Sequence, residues 1–395
     1  MLETVIAEIC KNITPKKKSS VSCLLFIEVK EGKGFTTDLD QQFTFSADAA
    51  DGYYDAARFY KLKNFSGAAT DTDLVNDFPQ AGLGEKVRIP FTLDPGVLNC
   101  NLVAFATKAC AAPNEARGVL RGIYFDRTRE AAIAIDGMRL RKRPLASKPS
   151  IDFIVPSSSA AAIDAIYKYC EVLEATIYAS DSTGQYDSFL QLKGEGWEYL
   201  TKLMEGPYPE WWRVIPDEES QAYNEISKAE FAHLMAGIKA LLPYANKKTN
   251  LMLLAENRLV TRCRANNENF YGVELDFVPF AAVNQIGINA EYFLQVFSDA
   301  LEYETVRIMG KTALTGISIR QGENIDLLMP IRIVHEDEPI DYVTVPFVQV
   351  HVGQVKPAKK APAKLDKKVE ARILKLQESI GVEEILNILE GIDLL

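Results

Sequence analysis

The run Asn324-Ile325-Asp326-Leu327-Leu328-Met329-Pro330-Ile331-Arg332-Ile333 reads as an apolar strand that halts at Met329-Pro330 and resumes across an arginine. Proline has no amide proton for a sheet ladder, so Pro330 belongs at a sheet edge or a strand end. Leu328, Met329 and Ile331 are then expected to wall a surface groove.

Working outward from this run, one unit recurs. Thr4–Ile13, Asn101–Ala111 and Ala229–Leu242 have the apolar spacing of amphipathic helices. Strand pairs follow each: Cys23–Val29 with Phe35–Phe45, Gly122–Phe125 with Ala131–Leu140, and Leu251–Leu254 with Arg258–Arg264. A second helix is expected over Tyr53–Leu62, Ser158–Tyr169 and Ala290–Leu301. In the later copies it leads into further strands, Ala175–Ala179 with Ser188–Lys193 and Thr305–Met309 with Gly316–Arg320. The pattern predicts three copies of one α+β domain over residues 1–84, 85–216 and 217–353. The first copy is shortened, because Leu62 to Asp77 leaves no room for a second hairpin. Beyond Ile333, the alternating stretch Asp341–Val352 predicts an added strand pair within the third domain. Residues 354–368 have a linker's composition, and 369–395 are expected to carry a tail helix over Val369–Leu389.

Composition sets the class. The chain has 395 residues, 47% hydrophobic and 25% charged, and no apolar run long enough to cross a bilayer, so no membrane association is expected. Cysteines 10, 23, 100, 110, 170 and 263 are scattered, which predicts reduced thiols and a cytoplasmic protein. The net charge of −10 argues against general adhesion to nucleic acid, but steering depends on where charges sit.

Catalytic chemistry is not expected. Gly82-Leu83-Gly84-Glu85-Lys86 lacks the span and the hydroxyl residue of a phosphate loop. His233, His335 and His351 are too dispersed for a metal site or a triad, and no cofactor is indicated. Ser157-Ser158-Ser159 reads as a helix cap. Trp211-Trp212 admits a rival reading as a sugar-stacking platform, although it lies in a proline-bounded connection.

Laid on this repeat, several segments resemble the bacterial DNA polymerase III beta family, the sliding clamps. They are Thr36-Thr37-Asp38-Leu39, Asn76-Asp77-Phe78-Pro79, Ala134-Ile135-Asp136-Gly137-Met138-Arg139-Leu140, and Glu205-Gly206-Pro207-Tyr208-Pro209-Glu210-Trp211-Trp212-Arg213-Val214-Ile215-Pro216. Ile286-Gly287-Ile288-Asn289-Ala290-Glu291-Tyr292-Phe293-Leu294 and the Met329-Pro330 run complete the set. The family usually has threonine at Ile135, often histidine at Met138, and ends near Ile333. These departures imply a divergent member, such as one encoded by a phage.

The resemblance implies a ring, a homodimer of three-domain chains, with helices inside and sheets outside. Duplex DNA would pass through without base readout, and the ring would tether a replicative DNA polymerase after opening by a clamp loader. Candidate DNA-facing cations are Lys11, Lys16, Lys17, Lys18, Lys108, Arg117, Lys168, Lys239, Lys247 and Lys248; each could equally be an ordinary solvated helix residue. The implied peptide groove comprises Leu120, Ile135, Gly137, Met138, Arg139, Leu140, Pro209, Arg213 and Val214, with Leu327, Leu328, Met329, Pro330, Ile331 and Arg332. The competing reading is that Leu140, Val214 and Met329 are core and that Gly137 only serves its turn. A second functional reading is a clamp-like interaction or decoy protein that does not encircle DNA. The terminus Glu390-Gly391-Ile392-Asp393-Leu394-Leu395 has the acid-and-aliphatic chemistry such a groove accepts, which suggests self-occupancy, against the favoured reading that Val369–Leu389 is a helix that packs on the ring or binds another protein and that Leu394 and Leu395 fray.

Overall fold

The structure, a computed structural model, describes residues 3–15, 21–70, 87–180, 187–217, 223–245, 251–255, 257–262, 270–280, 285–310, 312 and 314–331. The expected strands over 341–352, the linker, the tail helix and the chain terminus lie outside the described residues.

The first repeat comprises α1 (Glu3–Cys10), β1 (Phe26–Lys30), β2 (Lys33–Thr37) and β3 (Gln41–Ser46), then β4 (Gly52–Asp55), α2 (Ala56–Leu62) and β5 (Ala69–Thr70). The second begins with β6 (Ile89–Leu93), α3 (Leu102–Lys108), β7 (Gly122–Asp126), β8 (Ala131–Ile135) and β9 (Arg139–Pro144). Its other half is β10 (Phe153–Pro156), α4 (Ala160–Tyr169), β11 (Glu174–Ala179), β12 (Phe189–Gly194) and β13 (Trp197–Lys202). The third opens with β14 (Tyr223–Ser227), α5 (Lys228–Leu241), β15 (Leu251–Ala255), β16 (Arg258–Arg262) and β17 (Phe270–Glu274). It closes with β18 (Gln285–Asn289), α6 (Ala290–Val296), β19 (Thr305–Met309), β20 (Ile317–Gln321) and β21 (Asn324–Leu328). The repeating half-unit is therefore strand, helix, then a three-strand meander.

This differs in detail from the helix-and-hairpin pattern expected from sequence. Phe35–Phe45 and Ala131–Leu140 are each broken into two strands by a tight turn whose leading aspartate accepts backbone protons. The expected helix at Tyr53 starts instead at Ala56, because Tyr53 and Tyr54 pair with Glu28 and Ile27 of β1. At β4–α2, β14–α5 and β18–α6 the strand-to-helix switch needs no loop. Asp55, Ser227 and Asn289 end their strands and cap the next helix, accepting N–H protons from Arg58 (2.7 Å), Glu230 (3.3 Å) and Tyr292 (3.1 Å). At Ser227 the Glu230 side chain returns the bond, completing a capping box.

Three antiparallel sheets result. One runs β5-β4-β1-β2-β3-β13-β12-β11-β6, the second β10-β7-β8-β9-β21-β20-β19-β14, and the third β17-β16-β15-β18. Successive repeats are thus fused through their sheets, Phe45 pairing Trp197 and Leu140 pairing Leu327. The helices pack side by side in the order α2-α1-α4-α3-α6-α5, forming one layer against the sheets. Phe43, Phe45, Phe59, Phe105 and Phe125 fill the core of the first two repeats; Phe231, Phe293 and Phe297 fill that of the third. The first repeat is short in its second half. Residues 63–88 separate α2 from β6, against 170–222 between α4 and β14, and β5 simply extends the sheet beside β4.

Candidate functional site

Side-chain parity along β9 and β21 decides which residues share a face. Leu140 and Leu327 sit opposite each other and bury into a small cluster with Ala131, Ile133 and Trp211. The connection 203–217 covers this cluster. Tyr208 stacks on Tyr124 with centroids 4.7 Å apart, and its hydroxyl oxygen accepts the Ile135 N–H at 3.1 Å. Burial drives the Tyr208 phenol well above its ordinary pKa, so it stays neutral. Trp211 donates its indole N–H to Asp126 at 3.1 Å, and Arg129 lies 3.4 Å over the Trp212 ring.

Groove residues predicted from sequence divide accordingly. Leu140, Leu327, Ile135 and Met329 belong to this apolar cluster. Met138 is 37% exposed and Val214 44% exposed, and the Met329 N–H donates to the Met138 carbonyl at 2.7 Å. Turn and strand end thus form one rim. Gly137 has φ +89°, and a Cβ there would stand 3.5 Å from the Arg117 guanidinium. Pro209 is exposed, and Arg213 is exposed and ion-paired with Glu210 at 2.9 Å. Pro330 and Ile331 are half-buried, with the Ile331 N–H donating to the Gly287 carbonyl at 2.8 Å.

Three other groove candidates lie away from this rim. Arg139 and Leu328, one position out of phase with Leu140 and Leu327, face the helix layer. Leu328 is part of the third-repeat core, and Arg139 lies 4.1 Å over the Tyr292 ring with Asp136 and Gln295 as hydrogen-bond acceptors. Leu120 is fully buried and is not among the residues of the apolar cluster. Arg332 lies outside the described residues.

The predicted cations are also redistributed. Lys16, Lys17, Lys18, Lys247 and Lys248 lie outside the described residues. Lys168 and Lys239 are exposed on α4 and α5. Lys11 pairs with Glu8, which also meets Lys63 at 3.3 Å. The Lys11 ammonium, with help from Lys63 and against some burial, holds the Glu8 carboxyl below its usual range. Arg117 stands beside Gly137 at the groove. Lys108 is mostly buried and pairs with Asp299, joining the second repeat to the third. The same junction holds Arg141 at 2.6 Å from Asp299 and 3.2 Å from Asp326, with Arg143 at 2.7 Å from Asp326. Burial pushes the Asp299 carboxyl up, but Lys108 and Arg141 outweigh it and the pKa is lowered.

Sequence reasoning missed Tyr208, Trp211, Trp212 and Ile215 as the cover of the apolar cluster; their place in a proline-bounded connection was the available signal. It also missed Arg58, Lys61 and Lys63, exposed at α2, a helix without an acid. An open cavity of about 780 Å³ adjoins the two indoles, with Arg129, Lys142 and Arg320 in its lining. Among the described residues no cluster of three metal-ligating side chains occurs, and no helix is long and apolar enough to cross a membrane.

No family model matches the chain, and no curated protein sequence does either. Solved structures do match. A DNA polymerase sliding clamp from Pseudomonas aeruginosa with ligand shares 15% identity and superposes with a TM-score of 0.62, covering 84% of this chain and 99% of its own. DNA polymerase III beta subunit from Thermotoga maritima gives 17% and 0.62, covering 84% and 97%. The sliding clamp from Bacillus subtilis gives 16% and 0.58 over 84% and 97%. This chain therefore has the fold of the bacterial DNA polymerase III beta sliding clamps, at low sequence identity.

Proposed function

We propose that this protein is a sliding clamp that encircles duplex DNA, without base readout, and tethers a replicative DNA polymerase and its clamp loader through short hydrophobic peptides. The observation that carries this reading is the division of the molecule into two working faces. One is a continuous helix layer bearing Lys11, Arg58, Lys61, Lys63, Lys168 and Lys239. The other is the sheet side, where Met138, Met329 and Val214 border an apolar cluster between the second and third repeats. Lysine and arginine attraction to phosphates is independent of sequence and screened by salt, which suits a protein that must slide. No catalysis is involved in this role, which is performed in the cytoplasm of a bacterial cell or phage-infected host. Ring closure would require at least a second copy, as a homodimer of three-repeat chains.

Retention on DNA tests the reading. With its loader and a nucleotide supply, the protein should stay on a nicked circle and be lost when that circle is cut, because topology rather than affinity holds it. Equal loss from circular and linear DNA would favour the second reading, a clamp-like interaction or decoy protein. The short second half of the first repeat is the observation that keeps this second reading in play.

A further inference from the structure

The sheet face that carries the groove rim continues past it. β9 and β21 set Leu140 opposite Leu327 and Lys142 opposite Ile325. One same-face step the other way, the Met329 N–H bonds to the Met138 carbonyl. Trp211 packs on the middle step, against Leu140 and Leu327. It therefore divides this face, with the Met138–Met329 rim on one side and the Lys142–Ile325 step on the other. The two ends are four residues apart on β9, about 14 Å at roughly 3.4 Å per residue.

The far step is crossed by charge. Read across β8, β9, β21, β20, β19 and β14, its residues are Ile133, Lys142, Ile325, Arg320, Arg307 and Glu225. Arg320 and Arg307 stand directly opposite each other, and like charges so placed on one face destabilise a sheet. Glu225 lies 3.8 Å from Arg307 at the outer end. At the inner end Lys142 donates to the Glu323 carbonyl at 3.2 Å and pairs with no carboxylate among the described residues.

This step borders the open cavity of about 780 Å³ beside the indoles. Three cations line it, Arg129, Lys142 and Arg320, against one carboxylate, Asp217. In a chain of net charge −10 that is a local reversal of sign. Ile215, Pro216 and Ile325 add apolar surface. Arg129 lies 3.4 Å over the Trp212 ring. Its neighbour Asp126, 3.5 Å away, is 2% exposed and accepts the Trp211 indole N–H. A guanidinium stacked in this way is pre-oriented, and its planar fork of N–H donors matches a carboxylate.

We propose that this cleft is a second peptide site, which takes an acidic segment of a partner protein in which carboxylates alternate with apolar side chains. Carboxylates meet Lys142, Arg129 and Arg320, while an apolar side chain lies against Trp212 and Ile325. Charge complementarity selects the occupant, in contrast to the hydrophobic rim beyond Trp211. Nucleic acid shares the negative charge, but unpaired bases bind by stacking on open rings. Here Trp211 is 3% exposed and the Trp212 ring already carries Arg129. The cleft does not depend on DNA encirclement, so either reading can fail alone.

Isothermal titration of the full chain with a capped Glu-Phe-Glu-Phe-Glu peptide tests it, beside the same peptide with glutamine in place of glutamate. The acidic peptide should bind, and its glutamine counterpart should bind at least ~10-fold more weakly. Lys142→Glu should lose a comparable factor for the acidic peptide. Lys142→Gln, which removes the charge with less risk to the fold, should lose part of it. A leucine-rich peptide at the rim should bind at the same time and displace nothing. No binding of the acidic peptide, equal affinity for the two peptides, or equal affinity in wild type and the folded Lys142 variants overturns the proposal. So does displacement by the leucine-rich peptide, which would place both ligands at the rim. An oligothymidylate that binds more tightly than the acidic peptide, and loses affinity in Lys142→Gln, would assign the cleft to single-stranded nucleic acid instead.

Discussion

Leu39 and Gly137 hold the same position in two copies of one turn. The Asp38 carboxylate accepts the N–H protons of Asp40 (3.0 Å) and Gln41 (2.6 Å); Asp136 does the same for Met138 (2.9 Å) and Arg139 (2.7 Å). The backbone closes identically, Asp38 N–H to the Gln41 carbonyl and Asp136 N–H to that of Arg139, both at 3.2 Å. Position two has φ +83° in Leu39 and +89° in Gly137.

A leucine in that conformation carries a steric cost of ~1–2 kcal/mol, while glycine loses ~0.5–1 kcal/mol more backbone freedom on folding. Leu39 is 49% exposed, so little burial is lost with its side chain. Leu39→Gly should therefore stabilise the protein by about 0.5–1 kcal/mol, read as a higher midpoint in thermal unfolding. A lower midpoint would show that leucine packing outweighs the strain.

The junction of the second and third repeats should weaken in acid. Lys108 and Arg141 lower the folded-state pKa of Asp299 despite the opposing effect of burial. A depressed carboxylate pKa contributes stability that is fully present above the unfolded value of about 3.9. That contribution is lost as pH falls through the lower folded value. Asp299→Asn should cost about 1–3 kcal/mol at neutral pH, because Arg141 and Lys108 lose a charged partner, and should flatten the stability curve below about pH 4. An unaltered acid limb in the variant would reject Asp299 as its source.

Leu140 and Met138 separate core from rim. Leu140→Ala removes a fully buried side chain beneath Trp211 and should cost about 2–5 kcal/mol. Met138→Ala, at a position 37% exposed, should change stability by no more than ~0.5 kcal/mol yet weaken a bound hydrophobic peptide. Isothermal titration with a leucine-rich peptide, beside thermal melts, distinguishes the two. Equal peptide affinity in wild type and Met138→Ala would remove Met138 from the binding surface.

The basic helix face can be tested by charge reversal. Arg58→Glu, Lys61→Glu and Lys168→Glu together should weaken DNA association and flatten its dependence on salt, by up to about one unit of log–log slope for each phosphate no longer neutralised. All three side chains are exposed, so the melting temperature should hardly move. The same salt slope in both proteins would place DNA elsewhere.

Local chemistry alone specified much of this protein. Apolar periodicity marked the helices and most strands, the repeated order of elements indicated copies of one α+β domain, and the resemblance of several short segments implied the clamp fold. Caps at Asp55, Ser227 and Asn289, and the Asp136-Gly137 turn, are short-range features that a sequence carries whole. Tertiary structure decided the rest. Whether Arg139 or Leu140 meets the connection depends on which face of β9 the chain covers. Lys108 looked like a free cation until α3 and the Asp299 segment came together, because an ion pair between residues this far apart in the chain is created only by packing. Arg117, too, acquired its place through Gly137, a neighbour in space and not in sequence. Element type follows from a few adjacent residues, whereas the role of a charge or an apolar side chain is set by the long-range partner that the fold delivers to it.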